Sequence, residues 1–190
     1  VLADQGNFRT GAALFSAGAD FGAFDLPVSE VQYTTLRPLP RLLLLGAGPD
    51  AAPVVTLADL LGWRITVMDH RPAYLERPAF AAADARISAP AMALATEVTL
   101  PHFTAAIVMS HHLATDRSYL LALAKSAIPY IGLLGPPGRR DRLLADLGDA
   151  ARLLDGRLHG PAGLDIGADS PESIALSIMG ELHAVTRKRG

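Results

Sequence analysis

Three observations predict an α/β fold built on a doubly wound parallel sheet. The run Leu42-Leu43-Leu44-Leu45 is short, apolar throughout and ended by Gly46; a strand buried on both faces reads this way, and parallel sheets make such strands. Strand-like and helix-like segments then alternate to the end of the chain, which implies right-handed crossovers with helices on both faces. The chain has 190 residues, half of them hydrophobic, which suits one domain with an ample core.

Residues 1–40 read as a short irregular or β-containing N-terminal segment. Gly6, Gly11, Gly18 and Gly22 interrupt its apolar residues, and Pro27, Pro38 and Pro40 break any long element. Short strands are expected around Ala12–Leu14 and Val31–Tyr33, and Arg37-Pro38-Leu39-Pro40 reads as a linker. The segment is expected to be the remnant of a preceding domain, with residues 41–190 forming the sheet domain. The chain begins at Val1 rather than methionine, which fits a longer chain ahead of it.

After the leucine strand, residues 51–61 read as a helix that Gly62 closes. Residues 64–68 are rich in β-branched residues and form the second strand. A short strand near 85–87 and a short helix from Pro90 follow. Residues 104–109 form a stronger strand, and a helix is expected from Asp116 to Lys125 with Thr115 or Asp116 as its cap. Residues 130–134 are the next strand and residues 139–147 the next helix, closed by Gly148. Residues 158–167 carry three glycines without helical or strand period and read as a loop. Ser170-Pro171-Glu172 opens the last helix: serine caps, proline suits the first helical position, and glutamate suits the dipole. Ile174, Ile178 and Leu182 form its buried stripe.

Composition excludes several functions. A net charge of -2 leaves no electrostatic footprint for nucleic acid. With no cysteine, disulfides and thiolate chemistry are absent, which fits a reducing, cytoplasmic setting. No apolar stretch approaches the ~20 residues that span a membrane, and no signal peptide opens the chain. The sequence lacks G-x-S-x-G, G-x-x-x-x-G-K and H-E-x-x-H patterns, so nucleophilic hydrolysis and zinc proteolysis have no support.

Ligands of an open parallel sheet bind outside the carboxyl ends of its strands, so the residues after each strand matter most. The first strand is followed by Gly46-Ala47-Gly48-Pro49-Asp50-Ala51, a G-x-G-x-x-A match. Glycines there allow a tight turn and close phosphate approach, and the helix N-terminus is expected to supply free N–H groups. The fold is therefore expected to be Rossmann-like. Asp69 ends the second strand, 23 positions after Gly46, near the ~20-residue spacing of an acid that holds a ribose hydroxyl. Asp50 would repel a phosphate on the turn, and Arg71 beside Asp69 could accept one instead. A turn that binds nothing is the plain alternative.

The strand ending in Ser110-His111-His112 is expected beside the first strand, at the switch point. Its histidines could bind an anion or move protons. Neighbours on an extended chain point oppositely, so they are not expected to share one metal. Asp116 is explained by helix capping. Gly135-Pro136-Pro137-Gly138-Arg139-Arg140 sets two arginines near a helix N-terminus, an oxyanion site or a solvated pair. His159 and Asp165 sit in the glycine-rich loop, where functional residues concentrate.

Taken in order, these loops resemble the motifs of the XdhC/CoxI family, the accessory proteins of xanthine dehydrogenase. The resemblance rests on Gly46 to Ala51, Asp69-His70-Arg71-Pro72-Ala73-Tyr74, Met109 to His112 and Tyr130 to Pro136 with Arg139-Arg140. His159-Gly160-Pro161 through Asp165 to Ala168, and Ser170 to Ala175 with Ser177-Ile178, complete it. It covers residues 41–187 and implies the C-terminal Rossmann-like domain of that family. Such a protein is expected to be a non-catalytic chaperone that binds the molybdenum cofactor (molybdopterin). It would assist sulfuration with a cysteine desulfurase and deliver the cofactor to a molybdenum hydroxylase apoenzyme. The resemblance carries a cofactor-binding role to Gly46, Ala47, Gly48, Asp50, Ala51, Asp69, His70, Arg71, Ser110, His111, His112, Gly135, Arg139, Arg140, His159 and Asp165. No ligand to molybdenum is assigned. The family's N-terminal domain holds a characteristic cysteine, which this chain lacks.

Two other readings share the same glycine turn. One is an NAD(P)-dependent oxidoreductase, favoured by the turn and Asp69 but without a convincing Tyr-x-x-x-Lys pair or a substrate domain. The other is a nucleotide-sensing regulatory module. A homodimer is the expected self-association.

Overall fold

The computed structural model describes residues 38–187. Its centre is β1 (Arg41–Leu45), followed by α1 (Ala51–Leu60) and β2 (Arg64–Asp69). The single-turn α2 (Pro72–Leu75) leads to β3 (Ala85–Ser88), and α3 (Leu94–Glu97) leads to β4 (Ala105–Val108). Then come α4 (Leu113–Ala124), β5 (Tyr130–Leu133), α5 (Pro137–Leu147), β6 (Leu158–His159) and α6 (Pro171–Arg187). The six strands are parallel, in the order β3-β2-β1-β4-β5-β6. The order reverses between β1 and β4, which is the switch point of a Rossmann-like sheet. The strands expected in residues 12–14 and 31–33 lie outside the described residues.

The leucine run explains the double winding. Side chains alternate across a strand, so Leu42 and Leu44 enter one core while Leu43 and Leu45 enter the other. The first core is closed by Val54, Val55 and Ala58 of α1 and by Ala175, Ile178 and Leu182 of α6. The second is closed by Tyr119, Leu120 and Leu123 of α4 and by Leu143 and Leu147 of α5. Every leucine of β1 is fully buried. Burying such a side chain is worth about 1.5–3 kcal/mol, so β1 anchors both layers.

Helix ends set the loop geometry. The Gly62 N–H donates to the Asp59 carbonyl and the Trp63 N–H to that of Ala58, with Gly62 at φ +72°. This is the Schellman closure expected of a glycine there. At α6 the Ser170 hydroxyl accepts from the Ser173 N–H at 3.2 Å, and the Ser173 hydroxyl accepts from the Ser170 N–H at 2.9 Å.

Three elements differ from the sequence expectation. Helix α4 begins at Leu113, three residues before Asp116, because the His112 ring nitrogen accepts from the Thr115 N–H and caps it. Asp116 is therefore inside the first turn and is not a cap. Helix α5 begins at Pro137, whose missing N–H costs nothing at the first helical position. Leu158 and His159 form a strand beside Ile131 and Gly132; two residues are too few to display a period.

Candidate functional site

The turns after β1, β2, β4 and β5 meet along the carboxyl edge of the sheet. Gly46 makes this close assembly feasible. Its φ is +119°, and a Cβ there would lie 2.7 Å from the Met109 carbonyl oxygen and 2.8 Å from the Ser110 nitrogen. Only glycine fits so near the neighbouring backbone.

Asp69 is 1% exposed and is surrounded by donors. Oδ2 accepts from the Ala47 N–H at 2.8 Å, and Oδ1 from the Arg71 N–H at 2.9 Å. The Arg71 guanidinium adds a two-toothed pairing, Nε to Oδ1 at 2.9 Å and Nη2 to Oδ2 at 2.8 Å. Burial alone would push this carboxyl up; the Arg71 side chain and the two backbone N–H groups outweigh it and hold it below the usual carboxylate range. The same guanidinium lies 3.7 Å from the Tyr74 ring centre, and that of Arg77 lies 3.9 Å from it. Arg71 is thus fixed by both a carboxylate and an aromatic face. His70 is half exposed, its Nδ1 3.4 Å from Asp69. It lines a groove of about 290 Å³ with Pro90, Ala91, Met92, Thr115 and Ser118.

His111 stands at φ +61°, the one non-glycine residue with positive φ among those described. Such backbone is costly for a side-chain-bearing residue and collects at functional sites. Its Nε2 lies 3.0 Å from Asp50 Oδ2, both groups partly exposed. The ring covers Gly48: a Cβ on that glycine would meet His111 Cδ2 at 3.7 Å. Asp50, expected to repel a phosphate, pairs with His111. The helix N-terminus differs from expectation. Pro49 and Pro53 have no N–H, and the Ala51 and Ala52 N–H groups turn back to the Gly48 and Pro49 carbonyls.

Ser110 leads to the buried member of the rim. Asp116, with no exposed surface, accepts from the Ser110 hydroxyl and from Arg139 Nη2 at 2.6 Å. Gly135, at φ +124°, leaves room for the Arg139 stem, since a Cβ would meet its Cδ at 2.6 Å. Arg139 is therefore an internal partner and not half of a free arginine pair. Arg140 points elsewhere: Nη1 donates to the Gly160 carbonyl at 2.7 Å, and Nε and Nη2 donate to Asp141.

The rim thus joins Gly46, Ala47, Gly48, Asp50, Ala51, Asp69, His70, Arg71, Ser110, His111, Gly135 and Arg139. Four expected residues are not drawn into it. His112 caps α4, and Arg140 ties α5 to the loop after β6. Asp165 is exposed. His159 stacks on Tyr130 at 4.2 Å between ring centres and meets Glu181 Oε1 at 2.8 Å.

Two carboxylates hold places that the sequence reading did not give them. Asp116 shares a helical stripe with Leu120 and Leu123. Glu181 completes the i, i+4, i+7 row of Ile174 and Ile178, and accepts from the Tyr130 hydroxyl and the Gly163 N–H, both at 2.7 Å. An acid on an apolar stripe is the signal that was present for both. Among the described residues, no group of three or more His, Cys, Asp or Glu could hold a metal ion, and no helix is long and apolar enough to cross a membrane.

Comparison with known proteins places this rim in context. The sequence profile described as the XdhC Rossmann domain matches residues 42–182. The chain is 40% identical, over 155 residues, to a protein of Bacillus subtilis (strain 168) named as a probable xanthine dehydrogenase subunit. The match covers 81% of this chain and 45% of the relative. A crystal structure of a xanthine dehydrogenase from Bacillus halodurans is similar with a TM-score of 0.71 at 36% identity, over 80% of this chain and 44% of that one. The chain thus spans less than half the length of these relatives. A Rossmann-fold NAD(P)-binding family protein from Shigella flexneri matches with a TM-score of 0.54 at 16% identity, over 79% of this chain and 89% of that one, a likeness of fold alone.

Proposed function

The chain belongs to the XdhC Rossmann-domain family, and from that premise we propose that it is the cofactor-binding part of an accessory factor for a molybdenum hydroxylase. The partner is an apoenzyme of the xanthine dehydrogenase kind, as the relatives' names suggest. The role is to hold the molybdenum cofactor, assist its sulfuration alongside a cysteine desulfurase, and release it to the apoenzyme.

The observation that carries this reading is the mixed polarity of the exposed rim at the switch point. His70 and Arg71 present donors there, and Asp50, paired with His111, presents an acceptor. The cofactor's phosphate needs the first kind of group and the N–H edges of its pterin need the second. The residues present therefore fit the group. Its phosphate would lie against His70 and the Nη1 edge of Arg71, which Asp69 leaves open, and not against Arg139, which is more deeply buried on Asp116. When bound, the group supplies a metal-held sulfur and oxygen set, and the chain's own residues hold and orient it. Arg71 suits that task because Asp69 and Tyr74 fix its guanidinium in advance.

The test is a thermal shift of the pure protein with molybdenum cofactor and, separately, with NADH. A ligand at about 100 times its Kd adds about 2.7 kcal/mol. The reading requires a clear rise with the cofactor, abolished by Arg71→Ala. No rise with cofactor removes it.

A further inference from the structure

Most of the polar groups that a glycine-turn sheet uses to hold a dinucleotide are engaged here by the chain itself. An ionised carboxylate offers about four lone-pair positions. Asp69 has four N–H donors on them: Ala47 N, Arg71 N, Arg71 Nε and Arg71 Nη2. A ribose would need two of these positions. The glycine turn is closed as well. His111 covers Gly48, the Asp50 carboxylate stands at the start of α1, and the first turn of that helix has few free N–H groups. A diphosphate arriving there would meet a fixed negative charge and a ring.

We infer that Asp50, His111 and Arg71 are specificity-determining residues that close the rim to a dinucleotide held by its diphosphate and its ribose. The two ion pairs act at separate places. Arg71 removes the ribose acceptor, while His111 and Asp50 block the diphosphate. The rim then admits ligands that bind to the outer edges of these pairs. This inference shares the rim with the cofactor proposal but not its fate: a chain that ignores the cofactor could still reject dinucleotides, and the reverse.

The experiment is a set of calorimetric titrations with NADH and with adenosine. Wild-type protein is expected to show no saturable NADH binding at about 1 mM. Arg71→Gln frees part of Asp69 and should tighten adenosine binding about tenfold, the worth of one charged hydrogen bond. Asp50→Gly with His111→Gly opens the turn, glycine being at ease at the His111 φ, and should leave adenosine unchanged. The triple variant should gain saturable NADH binding. Saturable NADH binding by wild type overturns the inference, and so does a folded triple variant that binds no better. Circular dichroism establishes folding. Should the triple variant not fold, the wild-type NADH titration and the Arg71→Gln adenosine titration decide: adenosine affinity unmoved by Arg71→Gln sinks the proposal.

Discussion

Arg139 reaches across from α5 to Asp116 on α4, with 2.6 Å between Nη2 and Oδ2, and the carboxylate it meets has no exposed surface. The pair joins the turn after β5 to the turn after β4, because the other Asp116 oxygen holds Ser110. Removing one member of a buried pair leaves an uncompensated charge, at a cost of about 3–5 kcal/mol. Arg139→Ala is therefore expected to lose about that much in chemical denaturation. Adding Asp116→Asn should return part of the loss. Equal, additive losses would mean the two groups are not coupled.

A second expectation concerns acid. Asp69 and Glu181 both titrate below their ordinary values of 3.8 and 4.5. For Glu181, burial pushes up, while the Tyr130 hydroxyl, the Gly163 N–H and His159 together push further down. A carboxyl that titrates lower in the folded state contributes stability above its unfolded value, and that contribution is lost as pH falls through the folded one. Stability should thus hold at neutral pH and decline below about pH 4. Asp69→Asn should be less stable at pH 7 and show a shallower acid decline. Denaturant midpoints measured from pH 3 to pH 7 check this, and an unchanged slope would count against it.

Glycines of the same turn should respond differently. Gly46→Ala places a methyl 2.7 Å from the Met109 carbonyl at a φ of +119°, a cost of about 2–4 kcal/mol. The thermal midpoint should fall by about 5–15 °C. Gly48→Ala meets only His111 at ordinary contact distance and should stay within about 1 kcal/mol of wild type. Differential scanning calorimetry of the two variants separates them.

Glu181 should prove more costly to lose than a typical half-buried glutamate. Glu181→Ala strands the Tyr130 hydroxyl, the Gly163 N–H and His159 Nδ1 at once. A loss of about 2–4 kcal/mol is expected. Tyr130→Phe keeps the stack on His159 but removes one bond, and should cost about 1 kcal/mol. A Glu181→Ala loss no larger than that of Tyr130→Phe would show that the cluster is not cooperative.

Much of the fold could be read before any coordinates. Four leucines ended by glycine located β1, and alternation gave the winding, because burial on two faces leaves a plain mark in sequence. The family and the positions of the glycine turn, Asp69 and His111 were legible for the same reason: they follow strands. What could not be read was which partner each polar group takes. Asp69 looks the same in sequence whether it faces a ribose or Arg71, since that depends on the Arg71 rotamer. The positive φ of His111 leaves no compositional trace. The prolines at 49 and 53 were visible, but the glycine pattern led to an expectation of free N–H groups that proline cannot supply.

Helix α6 is the last described element, yet it covers the middle of the sheet beside α1. A nascent chain emerging from the ribosome therefore holds all six strands before the lid over Leu42, Leu44 and Ile107 exists. Until Pro171 and the residues after it are made, the part of that face that α1 leaves bare is an open apolar surface, of the kind that draws chaperones or sticks to its own copies.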